Sequence, residues 1–155
     1  MALVGEELYS LLLPLREERL IIPRSCVAEV VRYNPTAAAT DDNWLRDTIA
    51  WRDREVPVIS YESLLELEQP KIGGRTRVVV FNPISGTSAC PPYGVLAEGF
   101  PQMVRVNSEV VRADQSYRPA DDLPVICRIS MLSEHALIPD LEMLESRIAA
   151  QQEIA

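Results

Sequence analysis

A chain of 155 residues that is 47% hydrophobic and 25% charged is long enough for one domain with a real core, or for two small modules sharing one, and is composed neither like a disordered segment nor like a membrane protein. Its formal net charge of -8 argues against non-specific attachment to nucleic acid or to an anionic bilayer. The acidic start, Met-Ala-Leu-Val-Gly-Glu-Glu, lacks a signal-peptide pattern and Leu11-Leu12-Leu13 is far too short to span a membrane, so a cytoplasmic protein is expected.

Leu8 to Leu15 reads as a strand whose end is confined by Pro14 to an edge or a bulge. Arg16-Glu17-Glu18 is a charged turn and Arg19 to Ile22 a return strand. Pro23 suits the first turn of a short helix to Cys26, and Val27, Val30 and Val31 then suggest a strand to Tyr33. Asn34 to Asn43 is a polar, Ala-rich loop.

The most informative stretch is Thr48 to Leu67. Two β-rich arms, Ile49 to Trp51 and Val56 to Ile59, flank a charged corner, Arg52 to Glu55, which predicts a hairpin with its turn in water. Ser60 stands where a helix N-cap belongs, Glu62 falls in the first turn where a carboxylate favours the dipole, and Leu64, Leu65 and Leu67 give the helix an apolar side. The hairpin places Trp51, a large apolar plate, beside Arg52, a rigid five-donor fork; both types dominate protein contacts.

Glu68 to Gly74, with Pro70 and a Gly pair, marks a junction between halves. Arg77 to Phe81 fits a strand buried on both sides, followed by a loop to Pro92 and strands at Tyr93 to Ala97 and Gln102 to Asn107. Glu109 to Leu123 is polar and irregular. From Pro124 the alternation predicts Val125, Cys127, Ile129 and Met131 on one face and Ile126, Arg128, Ser130 and Leu132 on the other. After a turn at Ser133-Glu134 comes a last strand, His135 to Ile138. Asp140 caps a C-terminal helix in which Leu141, Leu144 and Ile148 share a face, its tail fraying from Gln151.

About five short strands on each side of Glu68, joined by tight turns, predict an all-β protein of two small antiparallel barrels that share an apolar interface. Val79, Phe81, Val95 and Ile129 should lie in that interface. Little chemistry is written into the chain. His135 is the one histidine and lies on a predicted strand among Ala136, Leu137 and Ile138, a structural setting rather than that of a general base. Cys26, Cys90 and Cys127 are odd in number and far apart, suggesting neither a disulfide framework nor a zinc site. Asp41-Asp42 and Asp121-Asp122 read as solvated turn residues, and Gly73-Gly74 precedes a strand and reads as a hinge. No catalytic residue, metal or cofactor is expected. Of the 15 basic residues only Lys71 is a lysine, a bias that a GC-rich genome would also produce.

Over nearly its whole length the sequence resembles the CheW-like domain of bacterial chemotaxis coupling proteins. Ile22-Pro-Arg-Ser-Cys-Val-Ala-Glu-Val-Val31 is similar to the family's early V-x-E-I segment. Trp51-Arg-Asp-Arg-Glu-Val-Pro-Val-Ile59 resembles the N-L-R-G-x-x-x-P-V-x-D-L signature, and Arg77-Val-Val-Val-Phe81 with Tyr93-Gly-Val-Leu-Ala-Glu-Gly99 the second-half strand and G-x-x-V-D-x-V segment. Within the family it looks most like the divergent ChpC-type couplers of type IV pilus chemosensory systems.

The resemblance implies one CheW-like domain over residues 8–150. Two five-stranded SH3-like barrels, about 8–67 and 75–138 with strands open to exchange between them, would be followed by a helix over 140–150. It implies a non-enzymatic adaptor between chemoreceptor tips and the regulatory domain of a CheA-type histidine kinase, with Val27, Glu29, Asp47 and Arg52 facing the receptor. Asp47 and Asp53 replace the family's usual Gly, Ala50 its Asn, and Asp42 a common Pro; the two carboxylates could pair with Arg52 or repel an acidic partner. Two alternatives stand beside this reading: an adaptor of the same fold using one surface only, and a small ligand-binding or enzymatic barrel using His135, which a cleft of several hundred cubic ångströms at that residue would favour.

Overall fold

Residues on a strand present alternate side chains to opposite faces, and both faces of the two most apolar strands, Arg77–Phe81 and Tyr93–Ala97, are buried in the computed structural model, which describes residues 8–69, 71–84, 90–131 and 134–154. Among the described residues eleven strands form: β1 Leu8–Pro14, β2 Arg19–Pro23, β3 Val27–Arg32, β4 Leu45–Trp51, β5 Arg54–Ile59, β6 Arg77–Phe81, β7 Tyr93–Ala97, β8 Gln102–Val106, β9 Val111–Ala113, β10 Val125–Met131 and β11 Glu134–Pro139. A 3-10 turn at Arg24–Cys26 follows Pro23, and two helices complete the fold, α1 Tyr61–Leu64 and α2 Leu141–Ile154. Pro70, the loop tip at 85–89, and Leu132 and Ser133 of the expected strand end and turn lie outside the described residues.

The strands pair in two sheets, β3-β6-β7-β5-β4 and β8-β1-β2-β11-β10-β9, which make two SH3-like barrels. Neither sheet is built from one half of the chain. β1 and β2 join the C-terminal strands through β1–β8 antiparallel and β2–β11 parallel pairing, while β6 and β7 complete the sheet begun by β3, β4 and β5. The second sheet carries a sixth strand, β9, inside the stretch expected to be irregular. Its three residues pair with Ile129 to Met131 and its alternation is too short to be seen in the sequence.

Among the described residues the buried apolar side chains form three clusters. Val79, Phe81, Val95 and Ile59 face Leu13, Leu20, Ile22 and Leu137 across the space between the sheets, and Leu141, Leu144 and Ile148 of α2 close it. The alternate residues Val78, Val80, Leu96 and Val58 fill the first barrel, and Leu12, Ile21, Ile129, Met131 and Ala136 fill the second. Ile129 is therefore buried, but inside its own barrel and not between the two. A bulge between Val125 and Cys127 also breaks the expected alternation: it turns Val125 into the shared core while Cys127, Ile129 and Met131 line the barrel. Gly94 is required where β7 is most crowded, since a Cβ there would lie 2.4 Å from Val78 Cγ1.

Ser60 caps α1 as predicted, its hydroxyl accepting from the Ser63 amide. Glu62 differs from expectation. It is fully buried, and its Oε2 accepts from the Arg16 backbone amide at 3.1 Å, tying the β1–β2 turn to α1. Burial pushes its carboxyl above the usual range, against opposing amide hydrogen bonds. Asp140 caps α2 through the Met143 amide at 3.1 Å, and the helix continues to Ile154 instead of fraying at Gln151. On its buried face Glu145 accepts from Tyr93 Oη at 2.9 Å and from the Ile84 amide, so a second carboxylate stitches helix to sheet inside the shared core.

Candidate protein-binding site

β3 is an edge strand of the first sheet, and so is β4 at the other end; side chains, not ladder bonds, bring them together. The β4–β5 connection contracts to two residues, Arg52 and Asp53, with φ 49° and 60°, the left-handed pair that lets a hairpin follow the strand twist. This tight corner aims Arg52 back over its neighbour, its guanidinium 4.6 Å from the Trp51 ring centre. Arg52 Nη2 then donates to Glu29 Oε1 of β3 at 3.0 Å. Trp51 Nε1 donates to the same oxygen at 3.2 Å. Half-buried Trp51 packs with Ala28 and Val31 on the first barrel's core, so one carboxylate clasps the hairpin tip to β3. Arg52 pairs with Glu29, not with Asp47 or Asp53.

Glu29 and Val27 also line a groove between the barrels, with a volume of about 650 Å³. One wall is Arg24, Ser25 and the run Val27 to Val30, and the other is Leu8, Tyr9 and Leu11 of β1. Leu8 and Tyr9 are each about half exposed, and Arg105 of neighbouring β8 covers the Tyr9 ring at 5.7 Å. A bulge between Val27 and Glu29 re-aims both side chains toward this wall. The structure thus joins Val27, Glu29 and Arg52 in one surface. Sequence reasoning passed over Leu8 and Tyr9, because consecutive apolar residues on a strand point to opposite faces but only the packing decides which face is left open.

Asp47 is not part of that surface. It is 4% exposed and its Oδ2 accepts from Tyr33 Oη at 2.8 Å and the Thr36 amide at 3.0 Å, while Oδ1 accepts from the Thr36 hydroxyl and, at 2.8 Å, the Thr48 amide. Burial alone would push its carboxyl up, but these donors outweigh it and hold the group below the ordinary carboxylate range. Burial and the Asp47 hydrogen bond together raise the Tyr33 phenol. Asp47 is the anchor of the loop after β3.

A second cleft, about 410 Å³, does lie beside His135, the feature that would favour the ligand-binding or enzymatic alternative. His135 is exposed at its rim, and two of its carboxylates are engaged by arginines, Glu134 with Arg19 and Glu18 with Arg128, both at 3.6 Å. No hydrogen bond joins His135 to a carboxylate among the described residues, so the cleft holds a field of ion pairs without an acid–base couple. The three cysteines are free thiols. Burial, with Glu145 second, pushes Cys90 up to about 12 and also raises Cys26, which disfavours the thiolate. Among the described residues no group of three His, Cys, Asp or Glu is placed to hold a metal, and no helix is long and apolar enough to cross a membrane.

Comparison with known proteins agrees with this architecture. The family model described as a CheW-like domain matches residues 10–148. A search of the curated proteins finds no match. Among solved structures the fold is similar to the scaffolding protein TtCheW from Thermoanaerobacter tengcongensis, with a TM-score of 0.69 at 15% identity, covering 88% of this chain and 86% of that one.

Proposed function

The chain belongs to the CheW-like domain family, and from that premise we propose that it is a non-enzymatic chemotaxis adaptor, linking the cytoplasmic tip of a methyl-accepting chemoreceptor to the regulatory domain of a CheA-type histidine kinase. We place it in the cytoplasm, in a type IV pilus chemosensory system beside the ChpC-type couplers, with residues 8–150 acting as one unit. The observation that carries the reading is the inter-barrel groove. It is lined by apolar Leu8, Tyr9 and Val27 and edged by a charge pair, Glu29 with Arg52, which suits an amphipathic helical hairpin better than a small polar substrate. In this reading Val27, Glu29 and Arg52 touch the receptor, and Asp47 acts as a positioning residue through the loop it anchors.

Titration of receptor-tip fragments against purified variants tests it. An exposed ion pair such as Arg52–Glu29 contributes only about 0.5 kcal/mol to folding, so Arg52→Ala should melt within about 2 °C of the parent. A desolvated Arg contact at an interface is worth about 2 kcal/mol, and the same variant should bind roughly thirtyfold more weakly. Arg52→Lys should recover little, since the planar fork over Trp51 is lost. Unchanged receptor affinity of Arg52→Ala would remove Arg52 from the contact. Because Glu29 already neutralises Arg52, the one-surface adaptor is a distinct second outcome: the kinase regulatory domain would bind and receptor fragments would not.

A further inference from the structure

Arginines stand on both sides of the inter-barrel groove. Tyr9 and Leu11 belong to its β1 wall, and the strand register sets Arg105 opposite Tyr9 and Met103 opposite Leu11 on β8. Residues directly opposite in an antiparallel pair share a face, so this wall continues onto β8 through Met103, about half exposed, and Arg105, which is exposed and lies over the Tyr9 ring. On the other wall Arg24 is exposed, and its side chain makes no hydrogen bond or ion pair among the described residues. Glu29 is the one carboxylate among the lining residues, and Arg52 and Trp51 Nε1 both donate to its Oε1.

In a chain with 23 acidic and 15 basic residues, a groove whose single carboxylate is already engaged by an arginine is the reverse of the average surface. Its chemistry discriminates among occupants. A small free anion would reach the guanidinium groups but leave the apolar floor in water. An uncharged helix would cover the floor but strip water from Arg24 and give nothing in exchange. A helix with carboxylates beside its apolar stripe does both, because guanidinium groups bind carboxylates bidentately and helix positions three and four apart lie on one face.

We propose that the groove selects an acidic partner: an amphipathic helix whose apolar stripe lies over Tyr9, Leu11 and Val27, and whose flanking carboxylates meet Arg24 on one wall and Arg105 on the other. The proposal rests on the receptor reading above and narrows it to receptor tips that carry glutamate or aspartate on both sides of the apolar stripe. Arg24 and Arg105 are then specificity-determining residues, outside the Glu29–Arg52 pair.

Two designed helical hairpin peptides with the same leucine and valine stripe, one flanked by Glu and the other by Gln, test it in titrations that follow the methyls of Val27 and Met103 by NMR. The Glu hairpin should bind about fivefold more tightly, even though the protein's total charge repels it. Arg24→Gln and Arg105→Gln should each lower that ratio about twofold, the double variant should bring it near one, and salt at about 1 M should shrink it in the parent. Lys71→Gln, which removes an equal charge beside Pro14 at the other end of β1, should leave it in place. Equal affinities for the two hairpins, no binding of either, or a ratio lowered as much by Lys71→Gln as by Arg24→Gln would overturn the proposal, the last because the preference would then follow total charge. Receptor-tip fragments titrated in parallel separate it from the reading it rests on. Fragments that bind the parent and the double variant alike keep the receptor and overturn the acidic contact, whereas a Glu preference without fragment binding supports the acidic groove and removes the receptor.

Discussion

At the scale of single residues, Asp47 and Arg52 sit five positions apart and put charge to opposite uses. Arg52 is held loosely at the surface by one carboxylate and one ring, whereas Asp47 is held from inside by four donors. Asp47→Ala should therefore cost about 2–3 kcal/mol, because it orphans the Tyr33 hydroxyl and the Thr36 donors together. The folded-state carboxyl is depressed below its unfolded value near 3.9, so its contribution is complete above that pH and is lost as pH falls through the folded value. Urea midpoints of parent and Asp47→Asn should differ clearly at pH 7 and converge toward pH 3; a gap independent of pH would mean that the charge contributes nothing. The sequence could not place Asp47 inside. Strict alternation would put Arg46 and Asp47 on opposite faces, but a bulge between Leu45 and Asp47 buries both. Bulges are decided by the partner strand, which residue identities do not name. Arg52 could be singled out from its place at a hairpin corner, whereas Glu29 was marked only by the family resemblance, since its clasp on the hairpin tip joins residues 23 positions apart.

At the scale of elements, two turns place non-glycine residues in the left-handed region. Asp53 ends the β4–β5 hairpin corner at φ 60°, and Glu66, at φ 57°, follows the C-cap of α1. Around Glu66 the Leu67 amide reaches back to Glu62 O at 2.9 Å and the Glu66 amide to Ser63 O at 3.3 Å, a Schellman ending that glycine fits without strain. Asp53→Gly and Glu66→Gly should each raise stability by up to about 1 kcal/mol in urea melts, since an L-residue there works against its Cβ. Gly also widens the unfolded ensemble, which limits the gain; a loss above about 0.5 kcal/mol would show that the side chains hold these turns. Strand positions, the Ser60 cap and the Pro23 turn were readable because each rests on local chemistry. The burial of Glu62 was not, because it depends on the Arg16 amide, 46 positions away in sequence.

At the scale of the whole molecule, the shared core should dominate stability. Phe81 stacks on Tyr93 with centroids 5.3 Å apart and planes 11° from parallel, between the two barrels. Phe81→Ala should cost about 3–5 kcal/mol and shift one cooperative urea transition without splitting it, because each sheet borrows strands from the other half of the chain. Two resolved transitions would show that the barrels are independent. Every strand among the described residues except the three-residue β9 was legible, and the exchange was left open, since alternation says which residues are buried but not which strand lies beside which. That exchange also sets a schedule for biosynthesis. Leu8 pairs with Val106, so at ribosomal speeds of about 5–20 residues per second β1 waits roughly 5–20 s for β8 to be made. During that interval the newborn β1–β2 hairpin has Leu12, Leu13, Leu20 and Ile22 with no sheet to join, and the nascent chain carries an apolar ribbon until its second half emerges.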